Sequence, residues 1–124
     1  MDRIQTQQAP AAVGPYSQGI ALENLVFTSG QQGIIPATGK LAEGLEAQAR
    51  QALENIKAVL AAANTDLDHV VKTLVFLQDI NDFAAFNKIY CEYFPGEILP
   101  ARSCVQAGAL PLGGLVEIEV VAIR

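Results

Sequence analysis

Between residues 45 and 63 the apolar positions fall at steps of three and four: Leu45, Ala49, Ala52, Leu53, Ile56, Val59, Leu60 and Ala63. Glu46, Arg50, Glu54 and Lys57 take the other face. That period predicts an amphipathic helix, with Asn64 as its terminator. A second helix is predicted after Asn81 or Asp82, either of which can cap it. Its apolar stripe is Phe83, Phe86, Tyr90 and Phe94, and Pro95-Gly96 ends it. Elsewhere the pattern is that of strands. Residues 20–23 and 25–29 read as a hairpin closed at Glu23-Asn24, and Pro36-Ala37-Thr38-Gly39 as a turn. Val70–Leu77 is apolar on both faces except for Lys72 and Thr73, as in a strand covered on both sides. Residues 101–107 and 115–123 complete the set, separated by a loop at Leu110-Pro111-Leu112-Gly113-Gly114. The order is two strands, helix, strand, helix, two strands, which predicts an α+β fold, an α/β sandwich with two helices on one face of a mixed sheet. Two helices cover only one face. The apolar residues on the other face of 70–77 and 115–123 are then left for an interface, so a homo-oligomer packed sheet against sheet is expected.

Composition narrows the function classes. A chain of 124 residues, 51% hydrophobic and 17% charged, is expected to be one globular domain spanning 1–124. No apolar run reaches the ~18 residues of a membrane span, and the polar start lacks the apolar stretch of a signal peptide. Cys91 and Cys104 form no CxxC pair and no ligand pattern with the lone His69. They read as free thiols of a cytoplasmic protein, and no metal or cofactor is expected. The net charge is −5, and the eight basic residues are scattered, which argues against nucleic acid as the main partner. A small anion remains compatible, since one Arg suffices to hold a carboxylate.

Several residues carry candidate chemistry. Gly14-Pro15-Tyr16-Ser17-Gln18 reads as a turn before the hairpin. In Ser29-Gly30-Gln31, Gly30 either ends a strand or lets the backbone approach a ligand, with Ser29 and neighbouring N–H groups as donors to an anion. Asn87 lies beside the aromatic stripe of the second helix, where a buried amide needs a partner. Arg102 and Cys104 are two apart in a strand and share a face. Arg102 pairs with a structural Glu or makes a bidentate clamp on a substrate carboxylate. Cys104 reads as a small wall residue, because no activating His accompanies it. Glu117 and Glu119 lie on one strand face, either half-exposed or with one carboxylate serving as a general base. His69, following Asp66 and Asp68, reads as a surface residue leading into a strand.

Taken in order, these segments resemble the reactive intermediate deaminase (RidA/YjgF) family. The residues concerned are Gly14-Pro15-Tyr16-Ser17-Gln18, Ser29-Gly30-Gln31-Gln32-Gly33, Val71-Lys72-Thr73-Leu74-Val75-Phe76-Leu77 with Asp79-Ile80-Asn81-Asp82-Phe83, Phe86-Asn87-Lys88-Ile89-Tyr90, Pro100-Ala101-Arg102-Ser103-Cys104-Val105 and Val116-Glu117-Ile118-Glu119-Val120. The resemblance implies a chorismate-mutase-like fold and a homotrimer with its sheets around the trimer axis and its sites between subunits. It also implies the cofactor-free hydrolysis of 2-imino and 2-enamino acids to 2-oxo acids and ammonia. By position Arg102 would clamp the carboxylate and Glu117 would handle the water, while Tyr16, Ser29, Gly30, Asn87 and Cys104 would line the pocket. The stretch from 95 to 99 looks shorter than in some relatives, and Leu112 stands where many carry Lys. A weak endoribonuclease, and a non-catalytic metabolite-binding or chaperone-like trimer, are the rival expectations.

Overall fold

The computed structural model describes all 124 residues. Its strands are β1 (Asp2–Ile4), β2 (Gly19–Leu22), β3 (Leu25–Thr28), β4 (Gln31–Gln32), β5 (Ile34–Ile35), β6 (Lys40–Leu41), β7 (Val70–Leu77), β8 (Ala101–Gln106) and β9 (Val116–Ile123). The helices are α1 (Gly44–Ala62) and α2 (Phe83–Tyr93). The large sheet runs β1-β2-β3-β9-β7-β8, with β4 also on β9; only β7 and β8 are parallel. The mixed sheet and the two helices agree with the expectation from the sequence.

Local chemistry accounts for most boundaries. Glu23 turns the hairpin at φ 54° between the paired Leu22 and Leu25. Past α1, Asn64 takes φ 61°, a left-handed conformation that Asn tolerates better than most residues. The Asp79 carboxylate accepts from Asn81 N–H in the short turn 80–82, and α2 begins directly after it. Asp82 occupies the cap position without a side-chain bond, so the helix is started by that turn rather than by the expected Asn81 or Asp82 cap.

The core lies between α1, α2 and one sheet face. It holds Leu53, Ile56, Leu60 and Phe86 from the helices with Val75, Leu77, Val116, Ile118 and Val120 from the strands. Two polar residues of this layer do structural work. Gln48 Nε2 donates to Ala42 O, and its Oε1 accepts from Leu115 N–H. Asn55 Nδ2 donates to the carbonyls of Gln32 and Ile34. These amides tie α1 to β4, β5 and the start of β9, and so hold the segments that border the cleft described below. Gly33 is needed at this seam, because a Cβ there would lie 2.4 Å from Gln48 Cα and O.

The other sheet face is open. It presents Leu22, Phe27, Val105 and Ile123, each 39–50% exposed, with Leu74, Phe76 and Val121 alongside. Exposed apolar residues grouped on one sheet face in this way are a feature of interaction surfaces and ligand grooves.

Candidate active site

β3 and β4 form one interrupted lane along β9. Phe27 pairs with Val121 and Gln31 with Ile118, and the lane breaks at Ser29-Gly30. Across the gap Thr28 Oγ1 accepts from Val120 N–H at 3.0 Å. The break opens a cleft of about 680 Å³ whose walls include Val13, Tyr16, Ser29, Gly30, Pro111, Leu112 and Glu117. The Glu117 carboxylate rests on Gly30: a Cβ at that glycine would lie 2.6 Å from Oε2. Burial pushes the Glu117 carboxyl above the ordinary carboxylate range, and the like charge of Glu119 adds to the effect. Tyr16 stands at the mouth, its hydroxyl accepting from Val13 N–H at 3.3 Å. Leu112 holds the far rim at φ 61°, a strained conformation for a leucine.

Ser29 departs from its expected role as an anion donor. Its N–H donates to Gln18 O at 2.9 Å and its hydroxyl to Ser17 O at 2.5 Å. Both donors are engaged within the chain, so Ser29 is a wall that braces the Gly14–Gln18 turn. Gln18 is itself anchored, accepting from Thr6 N–H and donating to Thr6 O and Pro10 O.

Arg102, Cys104 and Asn87 form a second group. In register, Arg102 pairs with Thr73 and Cys104 with Val75, both buried against the helices. Arg102 and Cys104 therefore share a face, the helix face. The guanidinium donates from Nη1 to Asn87 Oδ1 at 2.8 Å and lies over the Tyr90 and Phe83 rings. It is half-buried and has no ion-pair partner in the chain; the arginine pairs are those of Arg50 and Arg124. The alternative of a structural Arg–Glu pair is thus absent. Burial pushes the Cys104 thiol up, partly offset by Arg102, which leaves it protonated at neutral pH.

The two groups are on opposite sides of the sheet. Glu117 pairs with Phe76 and Glu119 with Leu74, so both carboxylates belong to the open face. Within one chain the structure brings Tyr16, Ser29, Gly30 and Glu117 together, and it gathers Arg102, Asn87 and Cys104 elsewhere. One copy does not bring the two groups into a single pocket; the resemblance implies sites between subunits. β8, which carries Arg102, is an edge strand of the sheet. His69 is a surface residue leading into β7, paired with Asp66 at 2.7 Å. No cluster of three or more His, Cys, Asp or Glu could hold a metal ion. No helix is long and apolar enough to cross a membrane.

The residues missed in the sequence are the aromatic bed of Arg102 and the cleft walls Val13 and Pro111. Phe83 and Tyr90 were legible only as an apolar stripe. Nothing in Val13 or Pro111 marks a wall until the loops are folded.

Comparison with known proteins decides the family. The sequence matches the family described as Endoribonuclease L-PSP over residues 6–124. It is 49% identical over 123 residues to the 2-iminobutanoate/2-iminopropanoate deaminase of Salmonella typhimurium, covering 98% of this chain and 96% of that protein. The chain belongs to the RidA/YjgF family. The mouse 2-iminobutanoate/2-iminopropanoate deaminase is 48% identical, with 98% of this chain and 90% of that protein covered. Among solved structures, RidA from an Antarctic Psychrobacter superimposes with a TM-score of 0.97 at 48% identity, each chain covered completely. E. coli TdcF with bound serine gives 0.96 at 44% identity, covering 100% of this chain and 99% of that one. The RidA/YjgF architecture therefore accompanies the sequence relationship along the whole length of this chain.

Proposed function

We propose that this protein is an enzyme that hydrolyses reactive 2-imino and 2-enamino acids to 2-oxo acids and ammonia, as a cytoplasmic homotrimer without metal or cofactor. The observation that carries the reading is Arg102, a half-buried guanidinium with no carboxylate partner in its own chain. Such a group is built to receive a carboxylate from outside. Relatives at 49% and 48% identity named as 2-iminobutanoate/2-iminopropanoate deaminases support the same substrate class.

The site is completed between copies. The open apolar face drives association, and cyclic packing sets the Arg102 edge of one copy against the Glu117 cleft of the next. An imino acid is held by its carboxylate on the free N–H groups of Arg102, with its C2 over the cleft. In the protonated imine C2 is electrophilic. Glu117 orients a water and accepts its proton as the oxygen bonds to C2, giving a carbinolamine. Returning that proton to nitrogen turns it into a leaving group. As the C2–N bond breaks and the C2–O double bond forms, the again-ionised Glu117 takes the hydroxyl proton, so that ammonia and the 2-oxo acid are released. An enamine enters as its imine tautomer. Imines hydrolyse unaided, so alignment of water and carbon with a base at hand supplies the acceleration required. Tyr16, Gly30, Asn87 and Cys104 shape the pocket and Ser29 braces it.

The test is the decay of freshly generated 2-iminopropanoate, followed by ammonia release. Enzyme at micromolar concentration should accelerate it well above buffer. No acceleration, with RNA cleaved under the same conditions, would favour the nuclease reading instead. Light scattering should give the mass of a trimer.

A further inference from the structure

The surroundings of Arg102 are more elaborate than a carboxylate clamp requires. The guanidinium carbon lies 4.7 Å from the Tyr90 ring centroid and 5.3 Å from that of Phe83. Only Nη1 is bonded within the chain, to Asn87 Oδ1. Tyr90 is fixed from three sides. Its ring stacks on Phe94 at 4.5 Å and tilts against Phe86 at 5.7 Å. Its hydroxyl shares a 2.9 Å hydrogen bond with Thr73 Oγ1. Thr73 is fully buried on β7 and is the residue paired with Arg102 on β8. The contacts thus close a loop from strand to ring to guanidinium and back to the neighbouring strand. A Val–Phe pair would fill this volume without desolvating two hydroxyls, so the polar pair is better explained by orientation than by burial.

Arginine carries a large rotamer entropy, and a ligand that must first order it binds more weakly. A guanidinium already held over two aromatic rings has lost much of that freedom in advance, and the rings add a direct attraction for the cation. We propose that Tyr90, anchored by Thr73 and flanked by Phe83, is a positioning residue that sets the direction in which Arg102 offers its remaining N–H groups to the substrate carboxylate. The proposal rests on Arg102 being the carboxylate site.

The experiment compares inhibition of imine turnover by 2-oxobutanoate and by its neutral analogue 2-oxobutanamide, using the assembled full-length protein. Tyr90→Leu and Phe83→Leu should each weaken the acid by about three- to thirtyfold, the range a lost cation–ring contact gives. The amide should be held as in the wild type, KM should rise more than kcat falls, and Tyr90→Phe, which keeps the ring but loses the bond to Thr73, should fall between the wild type and Tyr90→Leu. Phe83 is 40% exposed, so its variant carries the test if Tyr90→Leu fails to fold. Equal weakening of acid and amide, or unchanged inhibition by the acid in folded ring variants, overturns the proposal. Arg102→Ala separates the two claims. If it leaves the preference for acid over amide intact, the carboxylate assignment itself is wrong. If it abolishes the preference while the ring variants bind the acid normally, the positioning proposal alone is wrong.

Discussion

Gly30→Ala should silence the enzyme without unfolding it. The backbone at Gly30 is not in the left-handed region, so alanine meets no conformational barrier there. The obstacle is the Glu117 carboxylate: the new methyl would lie 2.6 Å from Oε2, 2.8 Å from Cδ and 3.0 Å from Cγ. Ordinary contact requires roughly 3.5 Å, so the carboxylate oxygen must retreat by about 1 Å. It is the far end of a flexible side chain bordering an open cleft, so little stability is lost. A base displaced by ~1 Å from its reacting water costs on the order of 100-fold in rate, near 2.7 kcal/mol of barrier. Gly33→Ala is the matched control. There the methyl would meet the Gln48 backbone at 2.4 Å, and backbone cannot retreat. That variant should lose about 1–3 kcal/mol or more of stability through overpacking between β4 and α1. The assay pairs ammonia release from 2-iminopropanoate with thermal unfolding. Wild-type kcat/KM in Gly30→Ala, or unfolding of Gly30→Ala at a temperature as low as that of Gly33→Ala, would refute the account of Gly30 as the seat of Glu117.

The other expectations follow from the same geometry. Glu117→Gln should lower kcat by about 10²- to 10⁴-fold while holding a 2-oxo acid as before, since the amide keeps the shape but cannot take the proton; weakened binding with intact kcat would mean that another carboxylate is the base. Activity should rise with pH as Glu117 ionises, and Glu119→Gln, by removing the like charge that raises the Glu117 carboxyl, should move that rise to lower pH; a shift upward or none would show that the two carboxylates do not communicate. Arg102→Lys should keep the fold and lose ~30-fold or more in kcat/KM, because the charge remains but the fork does not, and wild-type kinetics would remove the clamp. Cys104→Ser and treatment with EDTA should both leave turnover intact, since the thiol is held protonated; loss restored by zinc would overturn the cofactor-free chemistry.

Much of this was legible from residue order. The three- and four-residue period of α1 and the apolar run of β7 come from burial, which leaves its period on the chain. β4, β5 and β6 were not legible, because strands of two residues are too short to show a period. From α1, Asn55 bonds β4 and β5, and Gln48 bonds Ala42 just after β6. Two amides seven residues apart on an apolar helix face were the available sign. Which residues fall on which side of the divided site was hidden for a different reason. Alternation shows which residues of a strand share a face, but which face meets the helices is decided by register with neighbouring strands. In β8 the choice runs against hydropathy: Arg102 and Cys104 face the helices, while Ala101, Ser103 and Val105 face outward. An arginine on the covered face is tolerated because Asn87, Tyr90 and Phe83 receive it.

That division makes the account open to a direct test. If Glu117 and Arg102 meet only across a boundary between copies, two dead variants can repair one another. Glu117→Gln and Arg102→Ala, each inactive alone, are unfolded together at equal concentration and refolded. In randomly assorted rings with head-to-tail contacts, about one quarter of the boundaries join an intact Glu117 to an intact Arg102. The account predicts recovery to about that fraction of wild-type activity, and none when either variant is refolded by itself. Mixed trimers that form but stay inactive would contradict it.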